Sequence, residues 1–194
     1  MSEVEAVRRL ATRLAREAGA IQRERYETAF RIDTKSASID LVTEVDHACE
    51  ALIIEGIHGE RRGDAILAEE GGGEDTPGAE WRWIIDPLDG TMNYAHGYPR
   101  FCVSIGIERA GSPSLGIVYD PLLDECFSAT RGEGATLNGR PIHVSKEAQI
   151  GRALLATGVA YDVHRSEDSD LVRLRCTARE ANNRTAASVA SAGR

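Results

Sequence analysis

An apolar run meets two acids in the stretch Trp83-Ile84-Ile85-Asp86-Pro87-Leu88-Asp89-Gly90-Thr91. Consecutive large apolar residues that stop at an acid are typical of a short buried strand, here ending at Asp86. Asp86 and Asp89 lie three residues apart across a turn that contains a proline, and a tight turn can aim both carboxylates at one point. The stretch therefore predicts a pair of acids at the end of a strand.

The residues after this acid pair predict an anion site. Gly90 relaxes the backbone where Thr91 opens the next element, which we interpret as a short helix through Tyr94. The first turn of a helix presents unpaired N–H groups and a partial positive charge to an anion such as phosphate.

A second acidic strand end precedes the first one. The apolar run Ala65-Ile66-Leu67-Ala68 leads directly into Glu69 and Glu70, and three glycines follow at 71–73. Acids at the end of an apolar strand are costly to place unless a cation compensates them. Carboxylates for a hard divalent ion beside amides for a phosphate are the components of a metal-dependent phosphatase site. The glycines and the polar residues through 80 predict a mobile loop.

A simpler interpretation of residues 83–91 stays open at this point. Aspartate, proline and glycine all favour turns, so the acid pair could be only a turn before a capped helix. The second acidic strand end weakens this alternative, as does Asp46, which lies beside Thr43 upstream.

Length, charge and cysteine content exclude several classes of protein. The 194 residues suffice for one domain or two small ones, and 23 Lys and Arg against 31 Asp and Glu give a net charge of −8. A net acidic chain is a poor partner for nucleic acid. No apolar run is long enough for a membrane span, and we expect no signal peptide. The four cysteines are Cys49, Cys102, Cys126 and Cys176. They form no CxxC pair, which disfavours a zinc site or a disulfide framework, so we predict a cytoplasmic protein.

The remaining patterns predict two helices, then a series of strands, and so a layered α+β fold. Helix starts are indicated by Ser2 with Glu5 and by Thr43 with Asp46. Asn138-Gly139 marks a tight hairpin turn. The predicted strands after the acid pair cover residues 101–108, 114–119, 125–131 and 153–157, and a helix is predicted at 168–179.

The acidic segments together resemble the inositol monophosphatase family. The resemblance rests on residues 40–46 (DLVTEVD), 66–70 (ILAEE) and 83–94 (WIIDPLDGTMNY), whose order and spacing match the family. It continues through the strands to about Tyr161. Ala68 departs from the glycine that the family commonly has there. The resemblance implies a layered α/β/α/β/α sandwich of the sugar-phosphatase type.

The resemblance also assigns roles to individual residues. It implies that a first Mg²⁺ is held by Glu69, Asp86 and the backbone carbonyl of Leu88, while Asp86 bridges to a second ion that Asp89 also holds. Thr91 and Asp46 are expected to orient and deprotonate the attacking water, with Glu69 as a further catalytic residue. The substrate-binding groups are expected to be the amides of Gly90 and Thr91 together with Asp89 and Lys35.

The resemblance further implies that the C-terminal part is incomplete. We expect a metal-binding phosphatase portion at 1–145 and only the start of an α/β portion at 146–194. The family's Trp-Asp-x-x-[AG]-[GA] segment, which supplies another aspartate to the second metal, is missing, because the chain's tryptophans are Trp81 and Trp83. Asp162 and Asp168 are the nearest acids that could replace it. The complete family form is expected to be a homodimer.

Several functions fit this pattern. The first is a Mg²⁺-dependent phosphomonoesterase that hydrolyses inositol monophosphate or a similar small polyol phosphate. A histidinol-phosphatase or another sugar-phosphate phosphatase of the same superfamily is an alternative, and so is a truncated remnant that binds metal without turnover. We expect no catalytic role for His96 and His143, and we interpret Cys102 and Cys126 as core residues rather than nucleophiles.

Overall fold

A computed structural model of the chain describes residues 2–29, 32–34, 41–149 and 152–153. The chain divides into two compact units, Met1–His143 and Val144–Arg194. All helices and strands of the described residues lie in the first unit. The helices are α1 (Glu3–Arg25), α2 (Glu44–Glu60) and α3 (Thr91–Ala95). The strands are β1 (Ile32–Thr34), β2 (Leu41–Thr43), β3 (Ala65–Ala68), β4 (Trp81–Asp89), β5 (Cys102–Arg109), β6 (Ser112–Asp120), β7 (Glu125–Thr130), β8 (Gly134–Leu137) and β9 (Arg140–Ile142).

Seven of these strands form one sheet in the order β3-β4-β5-β6-β7-β8-β9. The pair β3–β4 is parallel and the other pairs are antiparallel, while β1 and β2 form a separate antiparallel pair. The predicted hairpin at the end of the sheet is confirmed, because Asn138 and Gly139 have φ of +49° and +77° between β8 and β9. Two central residues with positive φ match the right-handed twist of the flanking strands.

The two long helices pack together on one face of this sheet. Helix α1 begins at the N-cap Ser2, whose hydroxyl accepts a hydrogen bond from the amide of Glu5. Alternate residues of β4, β5 and β6 face the helices and are buried, whereas their neighbours in sequence are more exposed. The core therefore lies between the helix pair and the sheet; its largest side chains include Trp81, Trp83, Leu14, Ile53 and Ile105.

The α+β class is thus confirmed by these elements. The strand predicted at 83–85 is longer than expected, because the ladder with β5 continues through Asp89 rather than stopping at Asp86. The predicted helix at 168–179 and the predicted strand at 153–157, beyond its first residue, lie outside the described residues. No helix among the described residues has the length and apolar character that crossing a membrane requires.

Candidate active site

Strand β4 carries an irregularity that brings two of the predicted site acids to the same face. Asp86 pairs with Ser104 of β5 and Asp89 pairs with Cys102, so three steps along β4 match two steps along β5. This mismatch is a β-bulge, in which one strand holds an extra residue. Residues 102 and 104 lie on the same face of β5 because side chains alternate along a strand. Asp86 and Asp89 therefore also share one face, although residues three apart in a regular strand would point to opposite faces.

Glu69 reaches the same edge of the sheet from the neighbouring strand. It follows the last residue of β3, which runs parallel to β4, and its amide donates to the carbonyl of Ile85 over 3.1 Å. The carboxyl group of Glu69 lies close enough to that of Asp86 to raise the pKa of Asp86. The structure thus brings Glu69 to the bulged end of β4, as the parallel pairing requires.

The electrostatics of these acids show that their negative charges repel one another. Burial, followed by the negative charges of Glu69 and Asp89, raises the pKa of Asp86 well above its usual range. Asp86 accepts one hydrogen bond from the amide of Leu88 over 3.2 Å, which opposes the shift only in part. A hard divalent cation bound by oxygen ligands would remove the repulsion. The donor set therefore fits Mg²⁺.

The fit rests on charge and on donor chemistry rather than on a preformed coordination shell. Within residues 2–29, 32–34, 41–149 and 152–153, no three His, Cys, Asp or Glu side chains already stand in a metal-binding group. Glu69 and Asp89 are solvent-exposed and Asp86 is half-buried. Two of the three acids can therefore be reached from the solvent.

The turn after β4 depends on a glycine. Gly90 is the N-cap of α3 and has φ of +93°, a left-handed conformation that side chains disfavour. A Cβ at this position would lie 2.9 Å from the carbonyl oxygen of Arg100, so space as well as conformation requires glycine. The glycine places Thr91 at the first position of α3.

The hydroxyl of Thr91 connects this turn to helix α2. Its oxygen lies 2.9 Å from Oδ1 of Asp46 and 2.9 Å from the carbonyl oxygen of Leu88. A hydroxyl has one proton, so Thr91 can donate to only one of these acceptors at a time, and an ionised carboxylate is the stronger one. The lone pairs of the Thr91 oxygen then remain available to a water molecule.

Asp46 is held in place by the start of its own helix. It is 1% exposed, and its Oδ2 accepts from the amide of Thr43 over 2.8 Å and from the Thr43 hydroxyl over 2.5 Å. Thr43 in turn caps α2, so the predicted capping box is confirmed. The carboxylate that faces Thr91 is therefore rigid.

The other residues considered in the sequence fall in different places. Lys35 lies outside the described residues. Cys126 is buried, as predicted, but Cys102 is only half-buried, and its Sγ lies 3.7 Å from Oδ2 of Asp89. The ring of His96 contacts the carbonyl of Met92 instead of the acids.

Two residues that support the site, Gln22 and Glu50, were not predicted from the sequence. Gln22 is fully buried in α1 and donates through Nε2 to the carbonyl of Pro87 over 2.7 Å. Glu50 is 5% exposed in α2 and binds the loop after Glu69. Glu50 follows Asp46 by four residues and shares its helix face, a signal that could have identified it.

Comparison with known proteins identifies the family of the chain. The model of the inositol monophosphatase family matches residues 3–193. The chain belongs to the inositol monophosphatase family. It is 44% identical over 161 residues to the inositol-1-monophosphatase of Synechocystis sp., a match that covers 83% of this chain and 56% of that protein.

Two solved structures extend the likeness to three dimensions. The inositol monophosphatase from Anabaena has a TM-score of 0.74 at 40% identity, over 87% of this chain and 61% of that one. A structure named IMPase/NADP phosphatase complexed with Mg²⁺ and phosphate has a TM-score of 0.65 at 26% identity, over 72% of this chain and 53% of that one. The chain thus spans little more than half the length of these relatives.

Proposed function

We propose that this chain carries the metal-binding and water-activating part of a Mg²⁺-dependent phosphomonoesterase that acts on inositol monophosphate or a similar small polyol phosphate. The observation that carries the proposal is the shared face of Asp86 and Asp89, with Glu69 beside them. The Thr91–Asp46 pair lies at the same turn. Family membership and the relative complexed with Mg²⁺ and phosphate support the same chemistry.

The residues that would hold the metal follow from this arrangement and from the resemblance. Glu69, Asp86 and the carbonyl of Leu88 would hold a first Mg²⁺, and Asp86 with Asp89 a second one. When bound, Mg²⁺ lowers the pKa of water and neutralises charge on the phosphoryl and leaving-group oxygens.

The side chains of Thr91 and Asp46 would manage the proton of the attacking water. The buried carboxylate of Asp46 accepts the Thr91 proton, and Thr91 in turn accepts a proton from water. The water oxygen forms a bond to phosphorus, the ester P–O bond breaks, and the departing alkoxide takes a proton from solvent. A positioned base of this kind contributes roughly 10²- to 10⁴-fold to a rate.

The phosphate group would be bound by backbone amides. Gly90 and Thr91 present the start of α3, where N–H groups and the helix dipole favour an anion. Asp89 would contact the substrate through the second metal. Lys35 would add positive charge near the phosphate, as the resemblance implies.

Substrate and assembly belong to the same proposal. Inositol monophosphate is the first candidate, because residues 91–99 resemble the inositol monophosphatases more than they resemble related families; histidinol phosphate and other sugar phosphates are the alternatives.

The complete family form is proposed to be a homodimer. Among the described residues, Asp86 and Asp89 are the groups proposed for the second metal, and we propose slow turnover. A non-catalytic metal-binding protein is the alternative class.

The test combines Mg²⁺ binding with phosphate release. Isothermal titration should show that the wild-type chain binds Mg²⁺, that Asp86→Asn does not, and that Asp75→Asn, an exposed acid of the loop after β3, binds normally. Phosphate release from a panel of sugar and polyol phosphates should require Mg²⁺ and be inhibited by Li⁺.

Each outcome of this test separates the candidate functions. Mg²⁺ binding with slow release that prefers inositol monophosphate supports the phosphatase. Mg²⁺ binding with no release above background supports the non-catalytic alternative. Absence of Mg²⁺ binding by the wild-type chain overturns the assignment of the metal ligands.

A further inference from the structure

Helix α2 buries a second carboxylate besides that of Asp46. Glu50 is 5% exposed and lies one helical turn after Asp46, on the face that also carries Cys49 and Ile53. A carboxylate this deeply buried is costly unless hydrogen bonds satisfy both of its oxygens. The partners of those oxygens therefore indicate why the acid is there.

Both partners are backbone amides of one short loop. Oε2 of Glu50 accepts from the amide of Glu70 over 2.8 Å, and Oε1 accepts from the amide of Gly72 over 3.0 Å. The loop begins at Glu69, the proposed metal ligand. Each carboxylate oxygen thus fixes one peptide of the segment that follows this ligand.

The loop approaches the end of the Glu50 side chain closely at Gly72. A Cβ built on Gly72 would lie 2.6 Å from Oε1 of Glu50 and 2.9 Å from Cδ1 of Ile54. A side chain at position 72 would therefore displace the Glu50 carboxylate. A carboxylate suits the two amides because it offers one acceptor oxygen to each, whereas an amide side chain has one acceptor oxygen.

We propose that Glu50 is a positioning residue for Glu69. By accepting from the amides of Glu70 and Gly72, it holds the loop so that Glu69 stays at the bulged end of β4. The inference rests on the proposed function for the identity of the metal, but the restraint on the loop stands apart from it. Glu50 itself does not contact substrate or metal in this account.

The experiment compares four variants with the wild-type chain, and a fifth, Glu69→Gln, removes the proposed metal ligand itself. Glu50→Gln removes one acceptor and keeps the shape, and Gly72→Ala displaces the Glu50 carboxylate without removing its charge. Glu55→Gln is the matched control on the exposed side of the same helix. Gly63→Ala is the control for glycine, because a Cβ there meets nothing within 4 Å.

Two readouts are measured on each protein. Amide hydrogen exchange of residues 69–73, without metal, should speed up by about tenfold or more in Glu50→Gln and Gly72→Ala, since each loses a hydrogen bond between an amide and a charged acceptor. The Kd for Mg²⁺ alone, from titration calorimetry, should rise by about tenfold in the same two variants. Both controls should match the wild type.

The outcomes distinguish this inference from the proposed function. Unchanged exchange at residues 69–73 in both Glu50→Gln and Gly72→Ala overturns the inference. The inference is also overturned if Glu69→Gln abolishes Mg²⁺ binding but both Glu50→Gln and Gly72→Ala keep the wild-type Kd for Mg²⁺. This result leaves the proposed function intact. If the wild-type chain binds no Mg²⁺, the proposed function fails together with the role toward the metal, and the exchange data still decide whether Glu50 restrains the loop. If Glu50→Gln fails to fold, Gly72→Ala decides both readouts.

Discussion

Replacing Asp46 tests the connection between the start of α2 and the turn after β4. In Asp46→Ala, the amide of Thr43 and the Thr43 hydroxyl lose their acceptor, and Thr43 is 1% exposed, so these groups are shielded from bulk water. Thr91 keeps the carbonyl of Leu88 as a second acceptor at 2.9 Å. One buried N–H costs about 1–3 kcal/mol when left unpaired, the hydroxyl about 1 kcal/mol and the lost charge at the helix start under about 1 kcal/mol. The free energy of unfolding should therefore fall by about 3 kcal/mol.

The variant Asp46→Asn separates geometry from charge. The asparagine oxygen can accept both bonds from Thr43, and its NH₂ group can donate to the Thr91 oxygen while Thr91 donates to Leu88. The loss in stability should then be only about 1 kcal/mol, because a charged acceptor is replaced by a neutral one. Phosphate release, where the wild-type chain shows it, should fall by roughly 10²-fold or more, since an amide cannot take the proton.

Urea unfolding followed by tryptophan fluorescence measures these differences, because Trp81 and Trp83 are 1% and 0% exposed. Glu55→Ala, on the exposed side of α2, is the control and should change stability by less than about 0.5 kcal/mol. A loss below about 1 kcal/mol in Asp46→Ala, or equal losses in the alanine and asparagine variants, would show that Asp46 does not hold the start of α2 in this way.

Three further predictions concern Asp86, Gln22 and Asp124. Asp86→Asn should unfold at the same or a higher temperature than the wild type without metal, because it relieves repulsion among acids; a calorimetric midpoint several degrees lower would contradict this. Gln22→Met should change the free energy of unfolding, measured in urea, by less than about 1 kcal/mol. It removes the bond to Pro87 and also the buried Oε1, which has no hydrogen-bond partner among the described residues; a loss above about 2 kcal/mol would oppose this prediction. The pKa of Asp124 is lowered by its hydrogen bond from Arg16, so this acid stabilises the fold above its ordinary pKa, and the contribution is lost as pH falls through the lowered value. The urea midpoint of Asp124→Asn should therefore fall less between pH 5 and pH 2 than that of the wild type, and equal slopes would count against the role of this pair.

Local signals in the sequence predicted the elements of the fold well. Thr43 with Asp46 predicted the start of α2, and Asn138-Gly139 predicted the last hairpin, because capping and left-handed turns depend on a few adjacent residues. The α+β class follows from the change of hydrophobic period after α2. The domain division expected at 145 and the roles given to the site residues stay predictions.

The supporting residues of the site were harder to predict because they depend on distant partners. The partner of Gln22 is the carbonyl of Pro87, 65 residues away. Glu50 satisfies amides about 20 residues further along the chain. No local pattern states which backbone groups will be left without a partner, so a buried polar residue is explained only once the loops are in place.

The bulge in β4 has a consequence for mutagenesis. Pro87 and Leu88 are the residues of β4 that the ladder with β5 leaves out, so the Leu88 carbonyl stays free of the ladder and can accept from Thr91. Deleting Pro87 would leave the two aspartates two residues apart, which keeps them on one face of a regular strand, but would draw the leucine peptide back into the ladder. A single deletion would thus remove a backbone oxygen from the site while every acidic side chain is retained. The Leu88 carbonyl oxygen cannot be removed by a side-chain substitution, but its role can be tested by shortening the strand.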